Sequence, residues 1–270
     1  MLWASLGFAW MGLLVKEVST TVPTSQVVAW RTLLTALVVA AVALARGASL
    51  RPTNVGMQLV RALVGLASMT CYFFALGRLP LGDAVLITYL SPILVALWSP
   101  WGAGEVVPRG VWGASALGLL GVGLVARPSG ATDWLGLGAA LLAAVFAALA
   151  YLSVRVLTRT DRPDTIVFWF SAVGAAVSAV SFAPGVVLPD VLTAAELVAM
   201  GLLGAFAQHF MTRAYARGNA AAVSVYSYAT PVFAYGLGFL FRHELPPLTS
   251  LVGAACVVAA GVWVARPGAR

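Results

Sequence analysis

Charge is what this sequence has least of: Asp, Glu, Lys and Arg make up 9% of its 270 residues, against 61% hydrophobic. Soluble domains carry about 25% charged and about 45–50% apolar residues. So little charge excludes a water-soluble globule, because no aqueous fold of this length hides that much apolar surface. Cysteine is nearly missing as well. Cys71 and Cys256 each stand alone inside an apolar segment, which excludes a disulfide framework or a paired-cysteine metal motif and leaves both as packing residues. No GxxxxGKS/T loop occurs, which excludes ATP hydrolysis by that route, and no metal or other cofactor is implied. HExxH, GxSxG and clustered Asp/His sets at a membrane boundary are missing too, which argues against an intramembrane lipid- or metabolite-modifying enzyme. The stretch from Met1 to Val18 lacks a basic start and a small-residue cleavage site leading into a polar domain. It reads as a retained helix, not a signal peptide.

What is present is a series of apolar stretches, each near the roughly 20 residues that cross a bilayer as a helix. They fall at Leu2 to Val18, Gln26 to Leu44, Met57 to Leu76, Leu81 to Trp101 and Val111 to Ala126, then at Trp134 to Val154, Thr165 to Phe182, Ala194 to Tyr215, Ala220 to Phe241 and Leu248 to Ala265. A gapless shift of 139 residues lays the second set on the first. It pairs Trp30 with Trp169, Gly65 with Gly204, Tyr89 with Tyr228, Pro92 with Pro231, Glu105 with Glu244, and Val125-Ala126-Arg127-Pro128 with Val264-Ala265-Arg266-Pro267. Prolines and charges in register over that length make an internal repeat. The expected fold is an all-α membrane protein of ten transmembrane helices in two five-helix repeats, residues 1–130 and 131–270. Five is odd, so the second repeat enters from the opposite face and the repeats are inverted. Ala131 to Ala139 have no counterpart, so either the first helix is short or its start lies upstream.

The net charge of +7 would suggest nucleic acid in a soluble protein, but here it sits in short connectors, so nucleic acid is not an expected partner. With the N-terminus inside, the inner connectors and tail hold ten arginines and the outer connectors hold only Lys16, Arg78, Arg127 and Arg242. That asymmetry places both termini in the cytoplasm of a cell (inner) membrane protein.

Polar or aromatic residues at depth are the candidate site residues. Arg31 enters the second helix by roughly 8–10 Å, where a charge costs at least ~2.5–3.5 kcal/mol unless it faces a cavity or partner. Two readings are open: it lines a cavity, or it snorkels to the outer headgroups. Gln208 and His209 lie deep in the eighth helix on a small and polar stripe, either as a packing seam or as site residues; His209 is the mid-helix side chain that titrates near neutrality. Tyr89 and Tyr228 each stand three residues before a proline, which suits bent helices walling a cavity. Glu105 and Glu244 occupy matching helix ends and suggest capping.

These residues resemble the EamA-type branch of the drug/metabolite transporter superfamily over essentially the whole chain. The resemblance rests on Phe8-Ala9-Trp10-Met11-Gly12 through Lys16, on Trp30-Arg31, on Tyr72-Phe73-Phe74-Ala75-Leu76, on Ala84 through Tyr89-Leu90-Ser91-Pro92 to Glu105, and on the echo from Tyr226 through Pro231 to Glu244. The first-repeat motifs look most like the subgroup that includes S-adenosylmethionine uptake carriers. It implies a secondary transporter that moves a small organic metabolite through a central cavity by alternating access. The expected substrate is an amino-acid-like zwitterion or anion, with Lys16 and Arg31 supplying positive potential and Trp10, Tyr72, Tyr89 and Tyr228 supplying flat walls. Partners are then a small-molecule substrate and membrane lipid, with a homodimer as one assembly. A non-transporting membrane subunit is the further alternative.

Overall fold

The structure is a computed structural model that describes residues 1–19, 21–76, 78–79, 81–126, 133–182, 185–242 and 248–265. Among the described residues every regular element is helical. In chain order these are α1 (Leu2–Val18), α2 (Thr24–Ala45), α3 (Val55–Leu76), α4 (Leu81–Thr88), α5 (Ser91–Gly102), α6 (Arg109–Ala126), α7 (Trp134–Leu157), α8 (Pro163–Ser178), α9 (Val191–Arg217), α10 (Ala220–Val225), α11 (Ala229–Arg242) and α12 (Leu248–Ala265). Helix is the form that satisfies every backbone polar group within one apolar segment. The ends that need outside acceptors find them locally: Asp133 caps α7, Asp190 caps α9 and Asn219 caps α10.

Among the described residues five stretches are long and apolar enough to cross a membrane: Ser25–Ala45, Val55–Ala75, Ala84–Gly102, Trp134–Leu157 and Val191–Arg217; Leu2–Val15, Pro163–Ser178 and Leu251–Ala265 are shorter apolar helices. Large aliphatic side chains such as Leu120, Leu202 and Val258 point outward, while the buried core is dominated by alanine and valine. That inside-small, outside-apolar arrangement is how helices pack in lipid, where backbones approach through small residues.

The fourth and ninth apolar stretches are each two helices, a difference from the bent single helices expected. Tyr89 and Leu90 form a turn between α4 and α5, and Tyr226 to Tyr228 form a 3₁₀ turn between α10 and α11. Pro92 and Pro231 fall in the first turn of α5 and of α11, where the missing N–H costs nothing. The prolines therefore open new helices instead of kinking old ones.

Several helix pairs recur when each element is exchanged for the one 139 residues away, although others, such as α5 with α10 and α8 with α9, have no counterpart of like extent. α1 packs on α9 as α7 packs on α3; α2 packs on α9 as α8 packs on α3; α1 packs on α11 as α7 packs on α5. Elements that exchange with themselves also meet, α2 with α8 and α6 with α12. At the turns, Tyr89 lies beside Tyr228 with ring centroids 6.1 Å apart. Repeat equivalents thus meet at the α2/α8 contact, at the two tyrosines and at the α6/α12 contact. Glycines permit the last of these: a Cβ on Gly121 would lie 2.6 Å from the Gly253 carbonyl oxygen.

Candidate functional site

Two buried arginines flank the α2/α8 contact. Arg31, 5% exposed, donates from Nε to the Met11 sulfur at 3.0 Å and from Nη1 to the Met69 sulfur at 2.8 Å. Thr35, one turn on, donates to the Gly201 carbonyl at 3.1 Å, and both side chains fit because α9 presents Gly204 opposite them. Arg61, on α3 and 3% exposed, lies over the Phe170 ring at 4.2 Å and donates from Nη2 to Gln208 Oε1 at 3.4 Å. Its Nε and Nη1 have no hydrogen-bond partner among the described residues. Arg61 folds along its own helix into the space left by Gly65, where a Cβ would collide with both the guanidinium and Phe170. Gly65 and Gly204 are repeat equivalents, so the same absent side chain makes room for one arginine in each half. Behind Arg61 stand Tyr151 and Tyr215, stacked at 5.5 Å, the Tyr215 hydroxyl buried without a partner.

The residues expected from sequence fall into separate groups. Arg31 and Gln208 belong to this centre. Tyr89 and Tyr228 meet at the two turns, but Tyr228 is fully buried against Gly118 of α6. Tyr72 is half-buried beside Phe73, at 6.0 Å between rings, and Trp10 is half-buried on α1. His209, on the next face of α9 from Gln208, has Nδ1 2.8 Å from the Asp164 carboxylate in the first turn of α8. The Lys16 side chain and Glu244 lie outside the described residues.

Glu105 does more than cap its own helix. It accepts from Arg155 Nε at 2.5 Å, from the Ala220 backbone N–H at 2.7 Å and from Ser99 Oγ at 3.4 Å, while Arg155 Nη1 donates to the Tyr215 carbonyl at 2.8 Å. One carboxylate thus ties α5 to α7, α9 and α10. Asp161, 7% exposed, likewise accepts from the Thr53 N–H at 2.7 Å and from Gln58 at 2.8 Å, joining the α7–α8 turn to the start of α3. Both staples lie at the end that the arginine asymmetry assigns to the cytoplasm. At the opposite end, Arg78 meets Asp133 at 3.2 Å on the surface, and Gln26 bridges Gly185 and Val187.

Arg61 is the residue that reading the sequence passed over. Subtraction would have found it: fourteen of the 16 Lys and Arg residues sit in connectors and helix ends, and Arg31 and Arg61 remain. Phe170 carried no signal of its own; it is the repeat equivalent of Arg31, which is why it meets α3 where Arg31 meets α9. Two surface clefts, of about 630 Å³ beside Trp101 and Trp112 and about 380 Å³ between the alanines of α2 and α8, contain none of the expected substrate residues.

Comparison with known proteins places this architecture. The EamA-like transporter family model matches residues 1–127 and again 134–266. A pseudopaline exporter of Pseudomonas aeruginosa is 33% identical over 265 residues, 97% of this chain and 93% of that protein. A riboflavin transporter of Rhizobium johnstonii is 28% identical over 214 residues, 77% of this chain and 69% of that one. A solved crystal structure superposes with a TM-score of 0.87 at 24% identity, covering 100% of this chain and 96% of the other, a likeness of fold alone. With its apolar helices, this makes the protein a multi-pass membrane transporter and not an enzyme. The chain belongs to the EamA-like transporter family.

Proposed function

We propose that the protein is a secondary transporter that moves a small, anionic or zwitterionic organic metabolite across the cell (inner) membrane by alternating access. Its ten spans form two inverted five-helix repeats, residues 1–130 and 131–270, with both termini cytoplasmic. The observation that carries this reading is the buried arginine pair: two cations from α2 and α3 stand against α8 and α9 of the other set of helices. Inverted-repeat carriers place their substrate at such an interface and expose it by rocking one half against the other. The broken helices α4/α5 and α10/α11, meeting at Tyr89 and Tyr228, supply the irregular backbone that such carriers tolerate only away from lipid. In this reading the Glu105 and Asp161 staples hold the cytoplasmic side shut. The name of the pseudopaline exporter favours outward movement.

The test is transport by purified protein in liposomes loaded with candidate metabolites. Saturable, substrate-specific exchange that Arg31→Gln abolishes is the expected result. Permeation equal to that of empty liposomes across the whole panel would overturn the reading and leave a non-transporting membrane subunit.

A further inference from the structure

The two arginines lack the counter-charges that buried cations ordinarily require. Among the described residues the ion pairs are Arg78–Asp133, Arg155–Glu105 and His209–Asp164, and neither Arg31 nor Arg61 enters one. Arg31 gives two donors to thioethers, which are weak acceptors. Arg61 leaves one donor on Nε and two on Nη1, three of its five, without any acceptor among the described residues. A buried charge without a partner is strongly destabilising, so a fold that keeps two has a use for both.

Their placement is regular. The Arg31 guanidinium rests on Met69 and the Arg61 guanidinium on Gly65. These positions are four residues apart on one face of α3, a spacing of about 6 Å along its axis, one helical turn. The two cations are close enough to repel each other.

We propose that Arg31 and Arg61 form one site for a dianion, a metabolite with two carboxylates about one helical turn apart. Arg61 takes one carboxylate on a free donor together with the second Nη2 proton, since the paired edges of a guanidinium are Nε with Nη2 and Nη1 with Nη2. Gln208 and the Phe170 ring fix the plane of the fork. Arg31 takes the other, exchanging sulfur acceptors for oxygen. Planar, two-pronged carboxylate recognition is what guanidinium does and an ammonium does not. The inference deepens the carrier reading and rests on it for the name substrate, but binding tests it separately.

Affinity is measured by calorimetry on purified protein in detergent, at constant ionic strength. The probes are glutarate and adipate as dianions, butyrate as a monoanion, glycine and chloride. The dianions should bind at least roughly thirtyfold tighter than butyrate, the effect of engaging a second buried charge. Arg61→Gln should erase that advantage while changing butyrate affinity by less than about threefold, since Arg31 is still present. The same variant should melt at a higher temperature without ligand, because it removes an uncompensated charge; Arg61→Lys, which retains charge without the fork, should bind dianions at intermediate strength. Equal affinity for glutarate, adipate and butyrate would overturn the proposal. So would unchanged dianion binding by Arg61→Gln, or chloride binding as tightly as either dianion. If dianions bind but nothing crosses liposomes, the carrier reading fails and the site stands; if metabolites cross while dianions are ignored, the reverse holds.

Discussion

Neutralising Glu105 should loosen three helices at once, and the geometry sets the size of the effect. Its carboxylate lies 2.5 Å from Arg155 Nε, with the two side chains 10% and 21% exposed. At a charge separation of about 4 Å and an effective dielectric constant of about 20, the attraction is about 4 kcal/mol. The desolvation of each group is present in the folded protein already, so removing one partner strands the other. Glu105→Gln and Arg155→Gln should each cost about 3–5 kcal/mol, the range for breaking a buried pair. Glutamine retains an acceptor for the Ala220 N–H, and Arg155 retains the Tyr215 carbonyl, which puts both variants at the lower end. The double variant strands neither charge. A double-mutant cycle should therefore show coupling of about 2–3 kcal/mol, the single losses exceeding the double by that amount. Unfolding in mixed micelles, followed through tryptophan fluorescence, supplies the four free energies. Additive losses, with coupling under about 0.5 kcal/mol, would mean that the pair is solvated and does not staple the helices.

Gly121→Ala should cost about 2 kcal/mol, because its Cβ would meet the Gly253 carbonyl oxygen at 2.6 Å and backbone cannot step aside. Gly138→Ala, with nothing within 4 Å, should instead gain about 0.5–1 kcal/mol from helix propensity, and unfolding of the two variants compares them directly. The Thr193 N–H holds the Asp190 carboxyl below the usual carboxylate range. Its contribution to stability is complete above the ordinary pKa of about 3.9 and is lost as the pH falls through the lower folded value. Asp190→Asn still caps α9, so its melting temperature should fall less steeply than wild type between pH 5 and acid, on the order of pH 3. His209→Gln should leave the response of transport to a pH gradient unchanged, since Asp164 holds that imidazole on a different face of α9 from the arginine centre; loss of the response in liposomes would make His209 the proton site.

The sequence by itself determined the solvent, most of the elements and the 139-residue repeat of sequence. Helix in lipid depends only on local facts, that each apolar stretch is long enough and that its backbone closes on itself, so α1, α3, α7 and α12 begin and end within a few residues of where hydropathy puts them. The register of 139 residues carried Gly65 onto Gly204 and Tyr89 onto Tyr228 without any structure. What only the tertiary structure decided is which side chains meet. Arg31 was legible as a buried charge, but its thioether partners were not, because Met11 of α1 and Met69 of α3 come within reach of its side chain only in the assembled bundle. Arg61 read as one more basic residue near a helix start until α8 laid Phe170 across it and α9 supplied Gln208. Glu105 likewise reads as a cap along the chain and becomes a staple once Arg155, 50 residues away, reaches it. Hydropathy is summed along the chain and survives any arrangement of helices, whereas a site is a set of distances between helices, set by where glycine lets them approach.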